Sequence, residues 1–181
     1  MSKLVEKKII SQTVYKGNFL DVKKDNVVLP NGENSTREWI NHPGAVVIVP
    51  ILPNGKIALI RQFRYAMGSE FIELPAGKID KGETPDECAI RELEEEIGFK
   101  TKNLNFIAMI HPAIGFTNEN MSLYLATDLV QTNINRDSDE FLELMPTSLE
   151  HALDLVWSNK ITDVKTIIGI LWYQKIYQES K

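Results

Sequence analysis

Residues 77–99 read GKIDKGETPDECAIRELEEEIGF, and this stretch decides how the rest of the chain is interpreted. It contains Gly77, then Glu83 after five residues, and after seven more it runs Arg-Glu-Leu at 91–93, Glu-Glu at 95–96 and Gly-Phe at 98–99. So many specified residues at fixed spacing rarely arise by accident. The spacing therefore indicates one functional element and not a chance run of charge.

Local signals predict a helix within this stretch. Thr84 is a capping residue, Pro85 suits the first helical position, and Glu87 at the third position can return a hydrogen bond to the cap. Gly98 lies where a left-handed C-terminal cap is usual, so the helix should run for about three to four turns. The helix also offers three apolar residues for packing, namely Ala89, Leu93 and Ile97.

Three carboxylates crowd one face of this predicted helix, those of Glu92, Glu95 and Glu96. Like charges at this spacing repel one another, so the arrangement needs a compensating cation, and a hard divalent ion with oxygen ligands suits it. Arg91 precedes Glu95 by four residues and is placed to hold that carboxylate, whereas Glu94 falls on the opposite side. An ordinary acidic surface helix is the alternative. The other motif residues at fixed spacing around these glutamates argue against it.

Composition limits the class of protein. The chain has 181 residues, of which 43% are hydrophobic, so it can bury one substantial core. Its formal net charge is −5 without a dense basic run, which argues against nucleic acid as a partner. No apolar run suits a signal peptide or a membrane span, so we expect a soluble cytoplasmic protein. We interpret the single cysteine, Cys88, as a packing residue.

A pass along the chain predicts an α/β order of elements. Strands are expected at 9–15, 19–29, 36–41, 44–52, 56–63, 71–74, 104–110, 122–128 and 141–145. The residues Pro53-Asn54-Gly55 indicate a hairpin between the fourth and fifth of them. Helices are expected at about 148–157 and 164–177, with Trp157 and Trp172 in the core. Mixed strands with helices on both sides predict an α/β/α sandwich.

The motif at 77–99 is the signature of the Nudix hydrolases, and the chain resembles their ADP-ribose and nucleoside-diphosphate-sugar pyrophosphatase branch along nearly its whole length. Looser matches are HPGAVVIVP at 42–50, RQFRY at 61–65, ELPAGKID at 73–80, HPAIGFTNE at 111–119, DEFLEL at 139–144 and a final helix in TDVKTIIGILWY. This resemblance implies the Nudix fold, with a mixed sheet. It further implies an N-terminal β region at 1–42, used in dimerisation and in part of the substrate site, and a hydrolase domain at 43–181. We therefore expect a homodimer.

The resemblance also implies an activity. Such enzymes hydrolyse the pyrophosphate bond of ADP-ribose or another nucleoside diphosphate sugar with Mg²⁺, and they release a nucleoside monophosphate and a sugar phosphate. Mn²⁺ suits the same carboxylate site. By position, Glu92, Glu96 and the backbone carbonyl of Ala76 are implied metal ligands, assisted by Glu95. The residues implied to contact the substrate are Phe19, Arg37, Arg64, Glu73 and Glu119, with Phe19 stacking on the base.

The reaction needs a general base that takes a proton from the attacking water. The acidic run at 137–140 matches the region from which the family draws this base, and we assign the role to Glu140. Asp139 and Glu119 are alternatives for the base, and metal ligation is an alternative for Glu140. Glu95 and Arg91 complete the expected catalytic set.

Other interpretations stay open at this point. One is a Nudix enzyme for nucleoside triphosphates or capped RNA, against which the low basicity and the flanking matches weigh. Another is a non-catalytic nucleotide-sensing module, against which the intact glutamates weigh. Arg61 is an alternative to Arg64 as the arginine that faces the site. The preferred nucleotide or sugar and the number of metal ions are not determined by the sequence.

Overall fold

The computed structural model of the protein describes residues 3–132 and 141–179. The chain divides into two compact units. Unit 1 comprises Met1–Gly44 and Ala113–Glu119, and unit 2 comprises Ala45–Pro112 and Asn120–Lys181.

Unit 1 contains an antiparallel sheet of three strands in the order β1-β2-β3. These strands are β1 (Lys7–Lys16), β2 (Asp21–Val28) and β3 (Asn34–Ile40). A turn in which the Gly17 N–H donates to the Leu20 carbonyl at 2.8 Å joins the first two strands, as the sequence predicted. Strand β1 lies at the edge, and all ten of its residues are exposed.

Unit 2 contains two sheets, one with the order β10-β5-β6 and one with the order β7-β4-β9-β8. The strands are β4 (Ala45–Pro50), β5 (Ile57–Arg64), β6 (Ser69–Glu73), β7 (Ala76–Lys78), β8 (Phe99–Ile110), β9 (Met121–Gln131) and β10 (Leu142–Thr147). Strands β4 and β9 pair in parallel and the other neighbours are antiparallel, so the predicted mixed sheet is confirmed.

Among the described residues, three α-helices cover the strands of unit 2, α1 (Pro85–Ile97), α2 (Leu149–Trp157) and α3 (Val164–Glu179), and a short 3-10 helix spans Tyr65–Met67. Alternate residues of a strand face opposite sides, and β4 uses both sides. Val47 and Val49 join an apolar cluster with residues of α2 and α3, whereas Val46 and Ile48 join a second cluster with α1. Helices on both faces confirm the α/β/α prediction. In the part of the chain described, no helix is both long enough and apolar enough to cross a membrane.

Two sequence-based details are wrong. The Pro53-Asn54-Gly55 turn forms, but β4 and β5 belong to different sheets and share only an isolated bridge between Ile51 and Ile57. Strand β9 pairs with the whole of β4 on one edge, while β7 pairs with residues 45–47 on the other edge and the Ile48 N–H donates to the Pro75 carbonyl, so β4 belongs to this sheet. The two tryptophans are also outside the core. Trp157 is 71% exposed and Trp172 is 38% exposed, because the buried face of α2 contains Ala152 and Val156 and that of α3 contains Gly169, Ile170 and Tyr173.

Candidate functional site

Helix α1 has the ends that its sequence predicted. The Thr84 hydroxyl accepts a hydrogen bond from the Glu87 N–H, and the Glu87 carboxylate accepts one from the Thr84 N–H at 2.8 Å. Gly98 has a φ of 71°, and its N–H donates to the Glu94 carbonyl, which ends the helix. The apolar stripe of α1 packs in the core, and Cys88 is buried beside it. These contacts fix the rotation of the helix and therefore the direction in which its glutamates point.

Arg91 is the centre of the charged cluster on α1. Its guanidinium donates to the carboxylates of Glu83 at 2.9 Å, Glu92 at 2.8 Å and Glu95 at 2.8 Å. It also donates to the Lys78 carbonyl at 3.1 Å. The hydrogen bonds from Arg91 lower the pKa of Glu83 from 4.5 to about 2. The predicted contact between Arg91 and Glu95 is present, and Arg91 holds two further carboxylates that the sequence did not assign to it.

Strand β7 approaches the glutamates of α1 very closely. A Cβ atom on Gly77 would lie only 1.7 Å from Glu92 Oε1, so only glycine leaves this carboxylate in its present position. One residue earlier, the Ala76 N–H donates to Glu96 Oε2 at 3.1 Å. Glu92 and Glu96 are 7% and 4% exposed, respectively. The motif glycine is thus required by the position of the Glu92 carboxylate.

The donor atoms of this cluster suit a hard divalent cation. Three carboxylates and a peptide carbonyl are oxygen ligands, the type that such cations prefer. Within residues 3–132 and 141–179, no three Asp, Glu, His or Cys side chains are grouped so that they hold an ion as they stand. Each of the three carboxylates accepts a hydrogen bond, Glu92 and Glu95 from the Arg91 guanidinium and Glu96 from the Ala76 N–H. The chemistry of the donors fits the ion, and cation binding competes with these internal contacts.

A second charged group lies around Glu73 at the end of β6. Glu73 is 2% exposed, and its carboxylate accepts two hydrogen bonds of 2.7 Å from the Arg64 guanidinium. The Lys165 ammonium contacts the same carboxylate. Burial by itself raises the pKa of Glu73, but the hydrogen bonds and charges of Arg64 and Lys165 together lower it below its ordinary value. The structure therefore brings Arg64 and Glu73 together and adds Lys165, which sequence reasoning missed.

Arg61 differs from Arg64 in its partners. Its guanidinium contacts Glu143 on β10 and lies 3.8 Å from Glu70, and all three side chains are well exposed. Arg61 thus takes part in surface ion pairs, which contribute little to the stability of a protein. Of the two arginines, Arg64 is the one that joins a buried carboxylate.

The remaining expected substrate residues lie in unit 1. Phe19 is 54% exposed, and its ring and the His42 ring are arranged edge to face with their centroids 5.9 Å apart. His42 Nε2 lies 3.8 Å from Glu119 Oε1. Arg37 on β3 contacts Glu6 and donates to the Thr36 carbonyl. His42, to which the sequence gave no clear role, thus connects Phe19 with Glu119. The expected base, Glu140, and its alternative Asp139 lie outside the described residues.

Comparisons with known proteins agree with this arrangement. Residues 41–164 match the NUDIX domain family, and residues 6–40 match the nucleoside diphosphate sugar hydrolase N-terminal domain. Over 176 residues the chain is 40% identical to a Bacillus subtilis protein named ADP-ribose pyrophosphatase. This alignment covers 96% of this chain and 95% of that protein. Over 177 residues it is 36% identical to a Bacillus methanolicus protein named methanol dehydrogenase activator, with 96% of both chains covered.

A solved structure supports the same relationship. It is described as the crystal structure of ADP compounds hydrolase, and it superimposes with a TM-score of 0.88 at 25% sequence identity, covering 99% of this chain and 98% of that one. Nudix enzymes generally need a divalent metal, in agreement with the oxygen donors on α1. The family match spans most of the chain and includes the whole motif helix. The chain therefore belongs to the Nudix hydrolases.

Proposed function

We propose that this Nudix hydrolase cleaves the pyrophosphate bond of ADP-ribose or a related nucleoside diphosphate sugar, with Mg²⁺ as the ion, and releases a nucleoside monophosphate and a sugar phosphate. The carboxylate cluster on α1, which Arg91 binds and strand β7 approaches at Gly77, carries this proposal. Relatives named for ADP-ribose and ADP compounds support the substrate class. Mn²⁺ suits the same oxygen donors.

The residues of the site divide the chemical work. Glu92 and Glu96 would hold the ion, with Glu95 and the Ala76 carbonyl as further donors. When bound, Mg²⁺ neutralises pyrophosphate oxygens and lowers the pKa of a coordinated water. Arg91 orients the neighbouring carboxylates of Glu92 and Glu95 through its hydrogen bonds. In our proposal Glu140 takes the proton from the attacking water, with Glu119 or Asp139 as alternatives.

We assign substrate recognition to five residues. Arg64 offers a guanidinium for an anionic group of the substrate, and Glu73 holds it in place through two hydrogen bonds. Phe19 has an exposed ring suited to stacking on the base. We assign Arg37 and Glu119 to contacts with the rest of the nucleotide sugar, as the family resemblance implies. Residues 1–42 would then serve dimerisation and part of the substrate site, and residues 43–181 would form the hydrolase domain.

We also propose a homodimer formed through the N-terminal strands. Strand β1 is an edge strand whose backbone is available for pairing on one side. It also exposes large apolar side chains, since Ile9, Ile10, Val14 and Tyr15 are each 48–60% exposed. A second copy of the chain would cover this surface.

Sedimentation velocity tests the dimer. We expect wild type to sediment as a dimer and the double variant Ile10→Glu, Val14→Glu as a monomer, because the added charges disfavour burial of β1. Trp157→Glu is the control, since Trp157 is an exposed apolar residue on α2, at 71%. A double variant that still sediments as wild type does would contradict dimerisation through β1.

A substrate panel tests the activity. Purified protein with Mg²⁺ is incubated with ADP-ribose, ADP-glucose, GDP-mannose, UDP-glucose, NADH, diadenosine polyphosphates, dNTPs and capped RNA, with and without EDTA. Products are separated by chromatography. We expect a nucleoside monophosphate and a sugar phosphate from ADP-ribose or another nucleotide sugar, and we expect EDTA to abolish both because the carboxylates act through the cation. Turnover of dNTPs or capped RNA alone would place the chain in another Nudix branch, and binding without turnover would indicate a sensing module.

A further inference from the structure

Lys165 on α3 occupies a position that local rules disfavour. It is only 8% exposed, although lysine is almost never buried without charged partners. It is also the second residue of α3, where its charge opposes the positive end of the helix dipole. Residues that break local preferences in this way are usually kept for a reason in the tertiary structure.

The partners of Lys165 tie the start of α3 to the end of β6. Its ammonium contacts the Glu73 carboxylate and lies 2.9 Å from Asp163 Oδ2. Asp163 caps α3 by accepting hydrogen bonds from the Thr166 N–H at 3.0 Å and the Thr166 hydroxyl at 2.6 Å. The Thr166 hydroxyl in turn accepts from the Leu74 N–H at 2.8 Å. The group is therefore held by backbone as well as by charge.

Close packing keeps α3 in this register. A Cβ atom on Gly169 would lie 2.3 Å from Leu74 Cδ1 and 3.2 Å from Val49 Cγ2, so the helix backbone touches the core at that point. Lys165 lies one turn before Gly169 on the same side of the helix. The approach of Gly169 to Leu74 thus places Lys165 beside Glu73, the residue that precedes Leu74.

Along the contacts the charges alternate in the order Asp163, Lys165, Glu73, Arg64. Glu73 is buried, whereas the Arg64 side chain at the outer end is 44% exposed. Arg64 borders a cavity of about 300 Å³. The cavity is lined by Arg64, Met67, Phe71, Glu73, Asp163 and Lys165. The two cations balance the two carboxylates, so an anion that approaches Arg64 meets a neutral group.

We propose that Lys165 is a positioning residue that prepares Arg64 to bind an anionic group of the substrate. It neutralises one side of the Glu73 carboxylate, and Glu73 then orients the guanidinium at the cavity. Without Lys165 the two carboxylates share one cation, the group becomes negative, and Arg64 attracts an anionic substrate less strongly. This inference rests on the proposed function, which places Arg64 at the substrate.

The Lys165→Met variant tests the role by separating KM from kcat. We expect KM for the nucleotide sugar to rise about tenfold or more while kcat stays within about twofold, because Lys165 affects binding and does not touch the reacting atoms. A partly unfolded preparation lowers apparent kcat but leaves KM unchanged, so KM distinguishes positioning from a loss of folding. Lys175→Met is the matched control on the same helix, where the lysine side chain is 65% exposed, and its KM should equal that of wild type.

The conservative variant Lys165→Arg tests whether a positive charge at this position restores the KM of wild type. It keeps the positive charge, and the neighbouring cavity leaves volume for the larger side chain, so KM should return to within about threefold of wild type. An unchanged KM in Lys165→Met, a loss in kcat alone, or equal KM values for the Met and Arg variants would each overturn the inference. A wild-type enzyme without turnover of nucleotide sugars would remove the proposed function and this inference together, whereas an active wild type with no KM effect would remove the inference alone.

Discussion

Glu96→Gln is expected to lose nearly all turnover of the nucleotide sugar while the protein stays folded. The Gln side-chain oxygen can still accept the hydrogen bond that the Ala76 N–H donates to Glu96 at 3.1 Å, so the local structure should survive. The charge that holds the cation is lost, however. Mutation of a residue that only supports a metal ligand lowers metal affinity or activity about 10–100-fold. Removal of the charge of a ligand itself should therefore lower kcat/KM at least about a hundredfold.

The measurement combines kinetics with direct ion binding. Mn²⁺ binding to Glu96→Gln, followed by electron paramagnetic resonance, should be weaker than binding to wild type. Glu94→Gln is the matched control on the same helix, because Glu94 pairs with Lys100 at 3.0 Å and is not one of the expected metal ligands. Its turnover should equal that of wild type. If Glu96→Gln bound and hydrolysed the substrate as wild type does, the assignment of Glu96 as a metal ligand would fail.

Gly77→Ala should also inactivate the enzyme, but through geometry and not through charge. The added methyl group would lie 1.7 Å from Glu92 Oε1 and 1.9 Å from its Cδ, so the carboxylate must move away from its present place. Glu92 is the end of a flexible side chain, and the fold can therefore accommodate the methyl at the expense of the site. A displacement of about 1 Å in a catalytic group can cost about a hundredfold in rate, and we expect a loss of that order.

Gly169→Ala provides the contrast that makes this result interpretable. There the methyl group would lie 2.3 Å from Leu74 Cδ1 inside the core, so overpacking should lower the free energy of unfolding by about 1–3 kcal/mol. Thermal unfolding and kcat/KM should thus separate the two variants. Gly77→Ala should lose rate with a nearly unchanged melting temperature, and Gly169→Ala should melt earlier. Wild-type turnover in Gly77→Ala would show that the position of Glu92 does not matter for the reaction.

Helix α1 was predictable in detail because its signals are local. The cap, the first-turn proline and the terminal glycine all lie within the helix or next to it, at Thr84, Pro85 and Gly98. The periodicity of a helix then fixes which residues share a face. The glutamate cluster and the contact between Arg91 and Glu95 followed from that periodicity alone.

Strand pairing and helix docking were less predictable. The turn at 53–55 was recognised, yet its two strands joined different sheets, because β4 pairs with β9 and β7 whereas β5 pairs with β10 and β6. Turn residues indicate a reversal of the chain, whereas the choice of partner depends on competition between strands far apart in sequence. The tryptophans at 157 and 172 were misplaced for a similar reason, since the face of α2 or α3 that is buried depends on what the helix packs against.

The sequence by itself determined the family, the helix that carries the glutamates, the oxygen donors for a divalent cation and the α/β/α class. Only the tertiary structure decided that Arg91 also holds Glu83 and Glu92, that Glu92 fills the space where Gly77 lacks a side chain, and that a buried lysine supports Glu73. Glu73 and Lys165 are 92 positions apart. No local spacing rule connects residues so distant, and their contact exists only because α3 packs against the end of β6.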